Sequence, residues 1–214
     1  MLDLAWMILL GYLLGSLSGS LLLGRLRGVD IRAMGSGNAG GTNALRSIGW
    51  MFALAVVLID IAKGVAAALA VPMLPPLFGD SLPLGTTSIG ALCGLAAVAG
   101  HVWPVYFGFR GGKGAGTAVG VVAVIAPWCI LPLVVVWLVT LLGTGFVGLA
   151  TVVAGLSLVP AMWLLGPEPL PPALGVLAIV LAGLLLFTHR SNLARLRDGT
   201  ENRFEKARVI KRRR

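Results

Sequence analysis

Charge is scarce in this chain, and so are the residue sets that usually carry chemistry. Only 12% of its 214 residues are Asp, Glu, Lys or Arg, and two are histidine. With 57% hydrophobic residues and a mean hydropathy of +0.95, the composition excludes an ordinary soluble domain. Cysteine is limited to Cys93 and Cys129, both inside apolar runs, which argues against a disulfide framework and against redox chemistry. No Ser–His–Asp or Cys–His set is recognisable, and the few carboxylates are too scattered to form a metal cluster; neither a cofactor nor a metal ligand set is expected. The first turn carries Asp3 and lacks a basic region, so a cleavable signal is not expected and the first helix should stay in the membrane.

Long apolar runs are what the chain has in abundance. A bilayer-crossing helix needs about 20 mostly apolar residues. Such runs occupy about 3–24, 48–71, 85–107, 114–126, 128–143, 145–165 and 172–188. Pro127 separates the short fourth run from the fifth, and charge parity decides that the two cross separately. Arg25, Arg27, Arg32 and Arg46 mark one loop as cytoplasmic, Arg110 and Lys113 mark another, and Arg and Lys are dense from Arg190 onward. The loops with Asp80 and Glu168 hold no Lys or Arg. The expectation is one all-α, polytopic membrane helix bundle over 1–214, of about seven transmembrane helices. Its N-terminus is outside and residues 189–214 form a basic cytoplasmic tail. "VIKRRR" at 209–214 reads as a contact with anionic lipid, and no nucleic acid partner is expected.

Within the apolar runs, Gly11, Gly15 and Gly19 are spaced for close helix packing in lipid. Asp60 and Lys63, one turn apart near the middle of the second run, are expected to pair, because an isolated charge there costs roughly 2.5–3.5 kcal/mol.

Three polar islands at cytoplasmic junctions remain unexplained by the bilayer. The first, "DIRAMGSGNAGGTNALR" at 30–46, holds Gly35, Gly37, Gly40 and Gly41, with Asn38, Thr42 and Asn43 as side-chain donors and a helix expected from near Asn43. Free N–H groups at a helix start bind anions. The second, "GHVWPVYFGFRGGKGAGT" at 100–117, places Lys113 among glycines at another helix start. It is not a P-loop, since Phe107 and Gly114 stand where that motif needs Gly and Ser or Thr. His101 reads as a helix-packing hydrogen bonder. The third, "HRSNLARLRDGTENRF" at 189–204, sets His189, Asn192 and Arg195 three apart, on one face of a continuing helix. Loops emerging on one side of a small bundle should meet, with Arg46, Lys113 and His189 as the cations for one phosphate or two. A transporter would place such sites near the midplane, within inverted repeats, and no repeat is visible.

"GSGNAGGTNALR", "GHVWPVYFGFRGGKGAGT" and "HRSNLARLRDGTENR" resemble the three signature motifs of the bacterial acyl-phosphate:glycerol-3-phosphate acyltransferases, and the likeness extends to "GSLSGSLLLGR" and "DIAKG". The resemblance implies a small seven-helix enzyme of phospholipid biosynthesis in the inner (plasma) membrane, its active site facing the cytoplasm. It implies transfer of a fatty acyl group from acyl phosphate to the sn-1 hydroxyl of glycerol 3-phosphate, releasing lysophosphatidic acid and inorganic phosphate. By the same resemblance, Gly35, Ser36, Gly37, Asn38, Gly40, Gly41 and Thr42 would line a hole for the acyl phosphate, with Gly111, Gly112 and Gly114 nearby. Ser36, Arg46, Lys113, His189 and Asn192 would hold glycerol 3-phosphate. The soluble H-x4-D acyltransferases are not similar: Val105 and Leu193 stand four residues after His101 and His189. Family members usually carry Pro where Ser18 stands, Lys for Arg110, and a serine where Gly148 aligns. If that serine touches substrate, Thr151 or water must replace it here. An acyl phosphate is an activated anhydride, so no covalent nucleophile is required. The proton acceptor is either His189 or a substrate phosphate oxygen.

Overall fold

The computed structural model describes residues 1–79 and 81–204. Asp80 and the basic run 209–214 lie outside the described residues, and with them two of the charge-based expectations above. Every regular element among the described residues is helical. The chain forms two compact units, residues 1–127 and 128–214.

The first unit opens with α1 (Leu2–Gly15) and α2 (Gly19–Leu26), which the sequence suggested as a single span. They are instead bent by 48° at Ser16–Ser18, without the proline that usually breaks a helix. α3 (Gly41–Ser47) is short and lies beyond the first glycine loop. α4 (Trp50–Val65) runs on through a wide π turn at Ala66–Ala70 and a tight turn at Val71–Met73. α5 (Thr86–Val102) and α6 (Ala115–Ile125) complete the unit. The second unit holds α7 (Ile130–Thr144), α8 (Val147–Leu165), α9 (Pro172–Thr188) and α10 (Arg190–Arg197). Pro127 does separate α6 from α7, as the sequence indicated.

Among the described residues, four helical stretches are long and apolar enough to cross a bilayer, and six if each bent pair counts as one span; α6 is a shorter apolar helix. Helices in lipid gain little from hiding apolar side chains, so close backbone contact must hold them together. Gly11 and Gly15 provide it. A Cβ at Gly11 would lie 2.5 Å from the Cys93 carbonyl oxygen on α5, and one at Gly15 would overlap Ala97. Gly19, past the bend, faces α4 instead, with Val56 and Ile59 against it. α4 and α6 approach in the same way, Gly64 against Thr117 and Gly120 against Ile61.

The bend between α1 and α2 leaves backbone groups that a continuous helix would have bonded. Asp60 and Lys63 take them up. The Lys63 Nζ sits 3.0 Å from Asp60 Oδ1, forming the pair that the i, i+3 spacing suggested. It also donates to the Leu17 carbonyl at 3.2 Å, while Asp60 Oδ1 accepts from the Gly19 amide at 3.1 Å. Both side chains are buried.

Removing one partner of a buried pair strands the other charge, at a cost of about 3–5 kcal/mol. Lys63→Met is therefore expected to lower the thermal unfolding midpoint in detergent strongly, whereas Arg197→Met, from an exposed pair, leaves it unchanged. Equal midpoints for the two variants would show that the buried pair does not hold the bend.

Candidate functional site

The first glycine island is organised by one side chain. Asn43, fully buried in the first turn of α3, donates through Nδ2 to the carbonyls of Ile31 (3.1 Å), Met34 (2.9 Å) and Asn38 (3.1 Å). Its Oδ1 accepts from the Ser36 amide at 2.9 Å and from Ser47 Oγ at 3.4 Å. Asn43 is thus not a ligand donor, as its place in the sequence suggested; its amide is consumed in shaping the loop. Gly35 has φ +54°, and a Cβ there would collide with Asn43 Oδ1, so this position needs glycine on two counts. Ser36 and Gly37 are exposed on the loop, Asn38, Gly40, Gly41 and Thr42 are half-buried, and Arg46 is exposed on the last turn of α3.

The second island folds back onto the end of α5. The amides of Gly111 and Gly112 donate to the carbonyls of Val102 and His101, each at 3.1 Å. The Gly37 and Gly40 amides are likewise taken, by Met34 and Asn38. The cradle of bare amides is therefore narrower than the glycine count suggested. The first-turn amides of α3 and α6 are not satisfied within their own helices. Gly114, at φ +84°, turns the chain into α6, and half-buried Lys113 stands just before it.

The two islands meet. Arg32 Nη1 donates to the carbonyls of Phe107 (3.0 Å) and Arg110 (3.2 Å) on the second loop. The same guanidinium is gripped by Asp30, with Nη2 2.9 Å from Oδ2 and Nε 3.0 Å from Oδ1. The Arg32 hydrogen bond holds the Asp30 carboxyl below the usual carboxylate range. Its contribution is therefore present at neutral pH and is lost only as pH falls through that depressed value. Nearer the helices, a Cβ on Gly112 would lie 2.5 Å from the Ala39 carbonyl and overlap His101 Nε2. His101 itself, expected as a packing residue, places Nδ1 2.9 Å from Lys63 Nζ and 3.3 Å from Asp60 Oδ1. Arg32 was read only as a topology marker; "DIR" places its carboxylate partner two residues before it, and that spacing was the available signal.

In the second unit the chain does not continue straight through the third island. α9 and α10 meet at 51°, with His189 at the bend. His189 is buried, and its Nδ1 lies 2.8 Å from the Leu185 carbonyl. A carbonyl only accepts, so Nδ1 carries the hydrogen and the neutral ring has its lone pair on Nε2. Asn192 and Arg195 do share a face, and Glu201 holds both, Oε1 2.6 Å from Asn192 Nδ2 and Oε2 2.7 Å from Arg195 Nε. Glu201 was missed in the sequence because its contact depends on the reversal at Gly199, φ +72°. Past it, Arg203 donates to the Thr144 carbonyl at 3.0 Å and Phe204 to that of Gly145 at 2.8 Å, tying the segment to the α7–α8 turn.

Asn192 also occupies the space a side chain at 148 would need, since a Cβ on Gly148 would stand 2.7 Å from its Nδ2. Thr151 does not substitute for a serine there. Its hydroxyl donates to the Val147 carbonyl at 2.9 Å and accepts from Trp137 Nε1 at 3.2 Å.

The family model for glycerol-3-phosphate acyltransferase matches residues 5–199. A glycerol-3-phosphate acyltransferase of Shouchella clausii is 43% identical over 201 residues, covering 93% of this chain and 95% of its own. One from Chlorobaculum parvum is 38% identical over 230 residues, covering 95% and 97%. Among solved structures, PlsY (YgiH), an integral membrane glycerol 3-phosphate acyltransferase, superposes in its glycerol 3-phosphate form with a TM-score of 0.82 at 37% identity, covering 94% of this chain and 95% of that one. Its lysophosphatidic acid form gives 0.80 at 36%, covering 94% of each.

Asn43→Ala removes one donor from the carbonyls of Ile31, Met34 and Asn38 and the acceptor of the Ser36 amide, at about 0.5–1.5 kcal/mol for each hydrogen bond lost. The variant is expected to unfold at clearly lower temperature in detergent. Asn43→Asp should not rescue it, because a carboxylate has no hydrogen for the Ile31, Met34 and Asn38 carbonyls. Wild-type stability of Asn43→Asp would remove Asn43 from this role.

Proposed function

The chain belongs to the glycerol-3-phosphate acyltransferase family, and from that premise we propose that it acylates the sn-1 hydroxyl of glycerol 3-phosphate with acyl phosphate as the donor. The products are lysophosphatidic acid and inorganic phosphate. The observation that carries the reading is the meeting of two glycine loops at Arg32, Ala39 and Gly112, beside two helix starts and Lys113. That arrangement suits a substrate with a phosphate head, and the surrounding apolar helices suit its acyl tail.

In the proposed reaction the hydroxyl oxygen attacks the acyl carbonyl carbon. The new ester bond forms as the bond to the phosphate oxygen breaks, and phosphate departs with the electron pair. Because the leaving group is already activated, binding and orientation supply most of the rate. Donors at the departing phosphate and the developing oxyanion are each worth about 2.7–4 kcal/mol. We assign the hole for the donor's head to the loop of Gly35–Thr42 and the α6 start at Gly114, shaped by Asn43. Ser36, Arg46, Lys113 and Asn192 are assigned to glycerol 3-phosphate, with Glu201 and Arg195 orienting Asn192. His189 is assigned as the proton acceptor, because Leu185 fixes its ring with Nε2 as the basic nitrogen.

The same reading places the protein in the bacterial inner membrane with seven crossings, an external N-terminus and its glycine loops in the cytoplasm. The apolar helices support this, as do Arg27, Arg32, Arg110 and Lys113 on loops, with Arg25 in the last turn of α2 and Arg46 in that of α3.

Purified protein offered acyl phosphate, acyl-CoA and acyl carrier protein together should consume acyl phosphate alone; equal use of a thioester would defeat the assignment of donor. Lys113→Ala should lose nearly all turnover while remaining folded. His189→Asn, which keeps a donor for Leu185 but lacks the basic nitrogen, should lower kcat about 10²–10⁴-fold with little change in KM. A change confined to KM would move proton transfer to a substrate phosphate.

A further inference from the structure

His101 has a chemistry that neither the family likeness nor the proposed reaction uses. Its side chain is 3% exposed, at the end of α5. Three polar atoms surround the Lys63 ammonium: Asp60 Oδ1 at 3.0 Å, the Leu17 carbonyl at 3.2 Å and His101 Nδ1 at 2.9 Å. An ammonium has three hydrogens and no lone pair, so a ring nitrogen this close to it must accept. Asp60 Oδ1, 3.3 Å from Nδ1, is the longer contact and already accepts from Lys63 and from the Gly19 amide. With its Nδ1 lone pair engaged, the neutral ring carries its hydrogen on Nε2.

That nitrogen faces the place where the two glycine loops touch. A side chain on Gly112 would collide with it and with the Ala39 carbonyl. Among the described residues none hydrogen-bonds Nε2. Next to it the chain enters α6, an 11-residue helix that no side chain caps. A nearly buried, unengaged N–H beside an uncapped helix start is built to meet an anion.

We infer that Lys63 locks His101 as the Nε2–H tautomer and that this N–H donates to a phosphoryl oxygen of a substrate held between the glycine loops. The anion's identity rests on the acyltransferase reading; the tautomer does not. His101 is then a binding residue, Lys63 and Asp60 are positioning residues, and glycine at 112 keeps the donor uncovered. The chain's two histidines stand in opposite tautomers: His189 carries its hydrogen on Nδ1, His101 on Nε2.

The test uses the full-length protein in detergent with ¹⁵N-labelled histidine. Two opposite tautomer patterns are expected, assigned by the loss of one set in His101→Gln, and titration with inorganic phosphate should shift the His101 Nε2–H resonance. Nδ1 protonation at His101, or no response to phosphate, overturns the inference whether or not the protein is an acyltransferase. In turnover, His101→Asn should raise KM for one substrate on the order of tenfold or more, the strength of a charge-assisted hydrogen bond. His101→Gln, which keeps a donor at the Nε2 position, should restore it. The substrate whose KM rises, acyl phosphate or glycerol 3-phosphate, is the one whose phosphate sits there. Unchanged KM for both in His101→Asn overturns the donor. If the wild-type protein is inert toward acyl phosphate, the family-based reaction fails while the nitrogen resonances still decide the tautomer.

Discussion

A charge pair inside an apolar helix bundle is the interaction on which the first unit depends. Asp60 and Lys63 would each be costly in lipid alone. Paired, they satisfy one another and the two backbone groups exposed where the first helix breaks. Ser18, at this bend, stands where the family resemblance led one to expect proline. Here the break is sustained from across the bundle, by donors and acceptors on α4, instead of by a missing amide within the chain. His101 extends the same network to the end of α5, and its carbonyl accepts the Gly112 amide. The membrane interior and the glycine loops are thereby one continuous polar structure.

The loops themselves show how such a surface is made rigid without secondary structure. Asn43 gathers three carbonyls and an amide from one loop, and Arg32 reaches two carbonyls of the other. Both use planar groups with several donors in fixed directions, which suits the bracing of irregular backbone. Glycines serve these braces as much as any ligand: at 35 and 112 a methyl group would strike Asn43 or His101. In the second unit Glu201 does similar work for Asn192 and Arg195, closing the turn after α10.

Long-range pairing separates what was legible in the sequence from what was not. Apolar helices were readable because length and hydropathy are local properties, and Pro127 announced its own break. The Asp60–Lys63 pair was readable because one helical turn joins its members. His101 joins them from 38 residues away, and nothing near it in the chain announces that. The bend at Ser18 was hidden for the same reason. Glycine loops were legible as loops, but which amides remain open depends on partners such as Val102 and His101, which only folding supplies. His189 and Asn192 were singled out by their spacing. The bend between α9 and α10 was not, because no proline or glycine marks it.

That bend ties the end of α9 to the ring of His189. The Leu185 carbonyl accepts both the backbone amide of His189, at 3.1 Å, and its ring nitrogen, at 2.8 Å. The final turn of the helix and the attitude of the imidazole are therefore a single mechanical element. A bilayer too thin or too thick for α9 strains its ends first. Fraying there would swing the ring along with the backbone.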